Sequence, residues 1–223
     1  MVHKKAVLFD LDGTLLNSLP DISRSMNRAL ALHGLREHPL EAYRYFTGNG
    51  ARTLARRAAG EDNTELAELV LQDYAPYYSR HCFDESRLYD GVPEMIDSLR
   101  RAGLRLAVFS NKDDGDVKKV ISHYFDNIPF DIMRGRVDGY PLKPDPAGAC
   151  QIARDMGLEP DEFWYLGDTP TDFQTCRNAG MHFIAVLWGF RTREELLSSG
   201  AGLFASTPLE AARIILNDPA FER

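Results

Sequence analysis

Two aspartates separated by one residue are the first groups in this chain that could do chemistry. In Phe9-Asp10-Leu11-Asp12-Gly13-Thr14-Leu15 they stand where a short apolar run meets a glycine-bearing turn. Alternation along an extended strand aims Asp10 and Asp12 to the same side, and two carboxylates that close repel unless a cation or a shared proton intervenes. A hard divalent ion supplies such a cation: Mg2+ takes one or two carboxylates and completes its shell with water and phosphate oxygens. Taken alone, the same residues also describe a solvated acidic turn. Three further segments change that. Ser110-Asn111-Lys112 offers a hydroxyl and an amide, both able to donate to phosphate oxygens. Lys143-Pro144-Asp145-Pro146 holds a lysine against flanking prolines, and Gly167-Asp168-Thr169-Pro170-Thr171-Asp172 reads as a loop carrying two more carboxylates.

A parallel sheet would bring these segments together. Near-continuous apolar runs at Ala6 to Phe9, Leu104 to Phe109, Phe163 to Leu166 and Phe183 to Leu187 have the pattern of strands buried on both faces. Helical patterns lie between them: Pro93 to Arg101 ending at Ala102-Gly103, Pro146 to Met156 closed by Gly157, and a last helix opened by Thr207 as N-cap and Pro208 as first residue. This alternation predicts a parallel sheet with helices on both faces, whose ligands bind at the carboxyl ends of the strands. Three of the polar segments follow a strand or its turn at that edge, and the lysine segment lies between two of them just ahead of a helix. From residue 17 to residue 88 the rhythm breaks, with no convincing strand and several helical repeats. Leu19, Ile22, Met26 and Leu30 fall three or four apart, as do Leu66, Leu69 or Val70, and Asp73 or Tyr74, so this insertion has its own small core.

Composition narrows the remaining classes. With 223 residues, the chain has room for one large domain or a core with an inserted module. A net charge of -7 removes the general attraction that drives non-specific binding to nucleic acid. Cys82, Cys150 and Cys176 are odd in number and outside any CxxC spacing, which predicts buried thiols rather than disulfides or a zinc site. The first apolar run is stopped by Asp10 before it reaches signal-peptide length, and charges interrupt every later one. The expectation is a cytoplasmic protein with no membrane or nucleic-acid partner; its oligomeric state is not legible.

Taken together, Asp10-Leu11-Asp12-Gly13-Thr14, Ser110-Asn111, Lys143-Pro144-Asp145 and Gly167-Asp168 through Asp172 resemble the four motifs of the haloacid dehalogenase-like hydrolases, in order and across nearly the whole chain. The resemblance implies an α/β fold in which a Rossmann-like parallel sheet core, residues 1–16 and 89–223, carries an inserted helical cap domain, residues 17–88. Thr47-Gly48-Asn49-Gly50-Ala51 with Leu54, Tyr89-Asp90-Gly91-Val92, and Val186 through Arg191 are similar to the phosphoglycolate phosphatase group. Pyrophosphatases and β-phosphoglucomutases are neighbouring alternatives, and a non-enzymatic module is disfavoured by the intact acid pair.

Leaving-group chemistry sorts the branches. Expelling halide needs neither a proton nor a metal, whereas a phosphate ester expels an alkoxide that a positioned acid must protonate. Asp12 supplies that acid. On this resemblance Asp10 is the nucleophile, Asp12 the general acid and then base, and Lys143 and Mg2+ neutralise charge. Ser110, Asn111 and Lys143 would bind the phosphoryl group. Asp10, the backbone carbonyl of Asp12, and Asp168 would hold the metal, with Asp172 direct or through water. The ligand is a small phosphorylated metabolite. For a substrate ending in a carboxylate, Gly48-Asn49-Gly50 at a helix start and Arg52 just beyond are the expected recognition residues.

Overall fold

The computed structural model describes residues 4–126 and 130–219. The ends of the expected core range, residues 1–3 and 220–223, lie outside these, as do residues 127–129. In chain order the described strands are β1 (Ala6–Phe9), β2 (Leu16–Asn17), β3 (Arg87–Leu88), β4 (Arg105–Asp113), β5 (Ile132–Arg136), β6 (Phe163–Gly167), β7 (His182–Val186) and β8 (Phe204–Ala205). The α-helices are α1 (Leu19–Leu32), α2 (Leu40–Phe46), α3 (Ala51–Ala59), α4 (Thr64–His81), α5 (Val92–Arg101), α6 (Asp114–Tyr124), α7 (Ala147–Asp155), α8 (Pro170–Ala179), α9 (Arg193–Ser199) and α10 (Pro208–Leu216).

All four residues of β1 are fully buried, as the centre of a sheet covered on both faces requires. The six-stranded sheet is parallel, in the order β5-β4-β1-β6-β7-β8. Register sets the chemistry: Phe9 lies opposite Val108 on one side and Leu166 on the other, so Asp10, Ser110 and Asp168 emerge together, one or two residues past that line. The chain leaves β1 toward strands on both of its sides, and such a switch point opens the crevice where α/β sheets bind ligands.

Residues 17–88 are not wholly free of strand. β2 and β3 form a short antiparallel pair, Leu16 opposite Leu88 and Asn17 opposite Arg87, and the four helices α1 to α4 lie between them. Two-residue strands carry too little periodicity to read from sequence. The helical stripes behave as expected: Leu19, Ile22, Met26 and Leu30 are buried, and of the paired alternatives in α4 it is Val70 and Tyr74 that face inward while Leu69 is exposed. No helix among the described residues is long and apolar enough to cross a membrane. All three cysteines are free; Cys82 and Cys176 are buried, but Cys150 is only half-buried, contrary to expectation.

Asp21, fully buried in the first turn of α1, ties that turn to the segment entering β3. It accepts from the backbone N–H groups of Glu85 and Ser86 at 3.1 and 2.8 Å and from the Ser86 hydroxyl at 2.7 Å, with Arg24 paired to it at 2.7 Å. Asp21→Ala would leave those donors buried without an acceptor, and about 3 kcal/mol of stability should be lost in denaturant titration. A loss under about 1 kcal/mol would show that water replaces the carboxylate.

Candidate active site

Three carboxylates meet at the sheet edge. Asp10 follows β1, Asp168 follows β6, and Asp172 lies in the first turn of α8; all are buried, and one oxygen from each falls within 4.8 Å of the others. Asp172 is therefore not in a loop, as the sequence reading had it. Thr169 and Asp172 form a reciprocal capping box that starts the helix at Pro170: the Thr169 hydroxyl accepts from the Asp172 N–H, and the Asp172 carboxylate accepts from the Thr169 N–H and hydroxyl. Lys143 enters from the loop before α7 and uses all three of its N–H donors, on Asp10 at 2.8 Å, Asp172 at 2.7 Å and the Phe109 carbonyl at 3.1 Å.

The electrostatics follow from this crowding. Burial, then the neighbouring charge of Asp172, pushes the Asp10 carboxyl up to about 7 even though Lys143 pulls it down. Burial, Asp172 and Asp10 hold Asp168 well above the usual carboxylate range. Burial works against the Lys143 ammonium, yet Asp10 and Asp172 keep its pKa well above the ordinary value. Three glycines allow the acids to sit so close, Gly167 among them, where a Cβ would lie 2.3 Å from the Asp172 Cβ. A Cβ on Gly13, whose φ is +90°, would lie 2.2 Å from Asp168 Oδ2, and one on Gly189 would lie 2.3 Å from the Asp168 Cβ. Asp168 is held there by the Phe190 N–H at 2.7 Å and the Thr14 hydroxyl at 3.3 Å.

Asp12 faces a different partner. Its carboxylate is not one of the three that converge. Oδ1 of Asp12 is buried, stands 3.0 Å from Lys112 Nζ, and receives no well-directed hydrogen bond. Four carboxyl groups meet the two ammoniums of Lys112 and Lys143, and three of them turn oxygens toward one another. The residues present fit a hard divalent cation.

Asp10, Asp12, Ser110, Asn111 and Lys143 line a cavity of about 520 Å³ that also reaches Thr47 to Leu54 and Tyr74 to Ser79 of the helical insertion. The Asn111 side chain does not serve as the free phosphate donor expected of it. Its amide donates to the carbonyls of Gly48 and Lys143 at 3.0 and 3.1 Å and accepts from the Lys143 N–H at 2.8 Å, so it joins the insertion to the lysine loop. Asn49 donates to the Thr171 hydroxyl at 3.3 Å. Arg52 borders the cavity, but its side chain is 67% exposed and its guanidinium pairs with Glu68 at 2.7 Å.

Several contacts at the site carry no sequence signal of their own. Arg44 in α2 donates to the carbonyls of Phe190 and Gly189 at 2.9 and 3.1 Å, and Arg191 donates back to the carbonyl of Arg44. Nothing in the spacing links residues so far apart. Lys112 is different: it follows Ser110 by two residues on β4, and the alternation that pairs Asp10 with Asp12 could have placed it toward the cavity.

A parallel sheet flanked by helices, with a buried acid triad and a lysine at its switch point, makes this an α/β protein with a polar crevice at the carboxyl ends of its strands. Residues 7–186 match the profile of the haloacid dehalogenase-like hydrolases, and the chain belongs to that family. Phosphoglycolate phosphatases of Haemophilus influenzae and Nitrosospira multiformis are similar to it: the first is 34% identical over 83% of this chain and 87% of its own length, the second 30% identical over 95% of each. A crystal structure from Lactobacillus delbrueckii subsp. bulgaricus matches with a TM-score of 0.91 at 30% identity, covering 97% of this chain and 100% of that one. With these relatives, the chain is a phosphatase of the family.

Proposed function

We propose that this chain is a Mg2+-dependent phosphatase that hydrolyses 2-phosphoglycolate through an aspartyl-phosphate on Asp10. The observation that carries the reading is the buried set Asp10, Asp168 and Asp172, whose oxygens converge while the Lys143 ammonium bridges Asp10 and Asp172. The similar phosphoglycolate phosphatases support the substrate. An Asp10 oxygen attacks phosphorus as the ester P–O bond breaks, and Asp12 gives its proton to the departing alkoxide. Asp12 then takes a proton from water, whose oxygen attacks phosphorus and frees Asp10. Lys143 holds Asp10 in place and favours its anion against burial, and Ser110 orients phosphoryl oxygens. Asp10, Asp168 and Asp172, with the Asp12 backbone carbonyl, would hold Mg2+, which supplies positive charge to the phosphoryl oxygens when bound. Residues 17–88 act as the cap in this scheme and exclude water from the cavity. Three free thiols suit a cytoplasmic setting.

A panel of phosphorylated metabolites, read by phosphate release with Mg2+ and in chelator, tests the proposal. Phosphoglycolate should turn over fastest, and only with the metal; full activity in chelator would reject the metal assignment. The acid cluster adds a thermal test. Because the folded-state pKa of Asp10 is raised, its contribution to stability is fully present below the ordinary carboxylate pKa and is lost as pH climbs through about 7. Asp168 acts in the same direction at higher pH. The rise in melting temperature on adding Mg2+ should therefore be larger at pH 8 than at pH 5. Asp168→Asn should melt higher than the wild type in chelator and show no shift with Mg2+. A lower melting point in chelator would mean that Asp168 stabilises the fold without metal.

A further inference from the structure

We infer that Lys112 is the residue that reads a carboxylate on the substrate's leaving group. The inference rests on the proposed function and names the contact that would select an acid over a neutral ester. Four cations border the cavity: Arg52, Lys112, Arg136 and Lys143. Lys143 has no donor left, Arg52 is paired with Glu68 in solvent, and Arg136 pairs with Asp138 at 3.0 Å near the surface. Lys112 stands apart, because its side chain is 6% exposed and its ammonium is 3.0 Å from Asp12 Oδ1.

Its bonding is incomplete. Among the described residues, the Tyr78 hydroxyl is the one oxygen that accepts a well-directed hydrogen bond from Nζ, and the approach to Asp12 lacks that geometry. The ammonium also lies 4.5 Å over the Tyr78 ring, which stacks on Tyr74 at 5.4 Å. A buried ammonium has three donors to place, and the described residues offer it Asp12 and the Tyr78 hydroxyl.

Distance selects the acceptor. In phosphoglycolate the carboxylate carbon is two bonds from the ester oxygen that receives the Asp12 proton. A group that grips this carboxylate must therefore lie beside Asp12, and Lys112 does. Arg52 extends toward Glu68 and the solvent. The Tyr74 and Tyr78 rings form an apolar wall suited to the intervening methylene and leave little water to compete for the charge.

The test compares kcat/KM for 2-phosphoglycolate with that for 2-hydroxyethyl phosphate, of similar size but without the carboxylate, in wild type, Lys112→Met and Lys112→Arg. In Lys112→Met the preference for phosphoglycolate should fall on the order of 100-fold, as when one partner of a buried charge pair is removed. Lys112→Arg should keep most of it, and inhibition by glycolate should weaken in parallel with the Met variant's loss. If Lys112→Met does not fold, Lys112→Gln gives the same ratio. Equal losses on both esters would mean that Lys112 acts only through Asp12 and would overturn the inference while leaving the phosphatase in place. Loss of preference in Arg52→Ala, with Lys112→Met unchanged, would overturn it in favour of Arg52. No phosphate release by the wild type from any ester would remove the proposed function and this inference with it.

Discussion

Asp10→Asn is expected to lower turnover by on the order of 10⁴–10⁶-fold, the scale of losing a nucleophile outright. The amide has the shape of the acid but no anionic oxygen to attack phosphorus. The fold should survive. Lys143 keeps Asp172 and the Phe109 carbonyl as partners, so its charge is not orphaned, and the carboxyl removed is one that burial already disfavours as an anion. A melting point at or above that of the wild type, with activity at background, is the expected pair of results. Acid quench of a reaction with substrate labelled at phosphorus should leave label on the wild-type protein and none on the variant. Activity within about 100-fold of wild type would end the covalent mechanism, because no positioning role accounts for so small a loss at the attacking atom.

Asp12→Asn should cost about 10²–10⁴-fold, the range for a proton-transfer catalyst. The loss must depend on the leaving group. An alkoxide cannot depart unprotonated, whereas the phenolate of p-nitrophenyl phosphate can, so the aryl ester should suffer much less in the first step. The Asp12 contact with Lys112 separates this role from a structural one: an asparagine there removes the counter-charge of a buried ammonium whichever ester is bound. That component should appear equally with both esters. Any excess loss on the alkyl ester measures proton transfer, and an identical loss on both would contradict it.

The strands that hold the site were readable because burial on both faces writes an uninterrupted apolar run. Ala6–Phe9 is the same in sequence and structure, and β4, β6 and β7 begin or end within a few residues of their runs. Thr207 caps α10 as expected, accepting from the Glu210 N–H, with Pro208 as first residue. β5 escaped notice because it reads Ile-Met-Arg-Gly-Arg; an edge strand has one flank to solvent and tolerates the arginines that break the pattern. The capping box that puts Asp172 inside α8 was written in Thr169-Pro170-Thr171-Asp172, yet a motif rich in acids invites attention to charge before helix starts. Asn111 shows a limit of another kind. Residue type indicates that an amide can donate, but not that Gly48 and Lys143 already hold both donors, since those partners are remote in sequence.

One peptide unit gives the sheet edge a mechanical property. The Gly189–Phe190 amide is pinned at both ends: its carbonyl accepts from Arg44 of α2 at 3.1 Å, and its N–H donates to Asp168 at 2.7 Å. A planar group held this way cannot rotate without breaking both bonds. An arginine on the carbonyl also polarises the amide and makes its N–H a stronger donor. Any movement that withdraws Arg44 thus weakens the grip on one oxygen of Asp168, with no side chain in between. The placement of α2 thus bears on the basicity of an acid through a single bond plane.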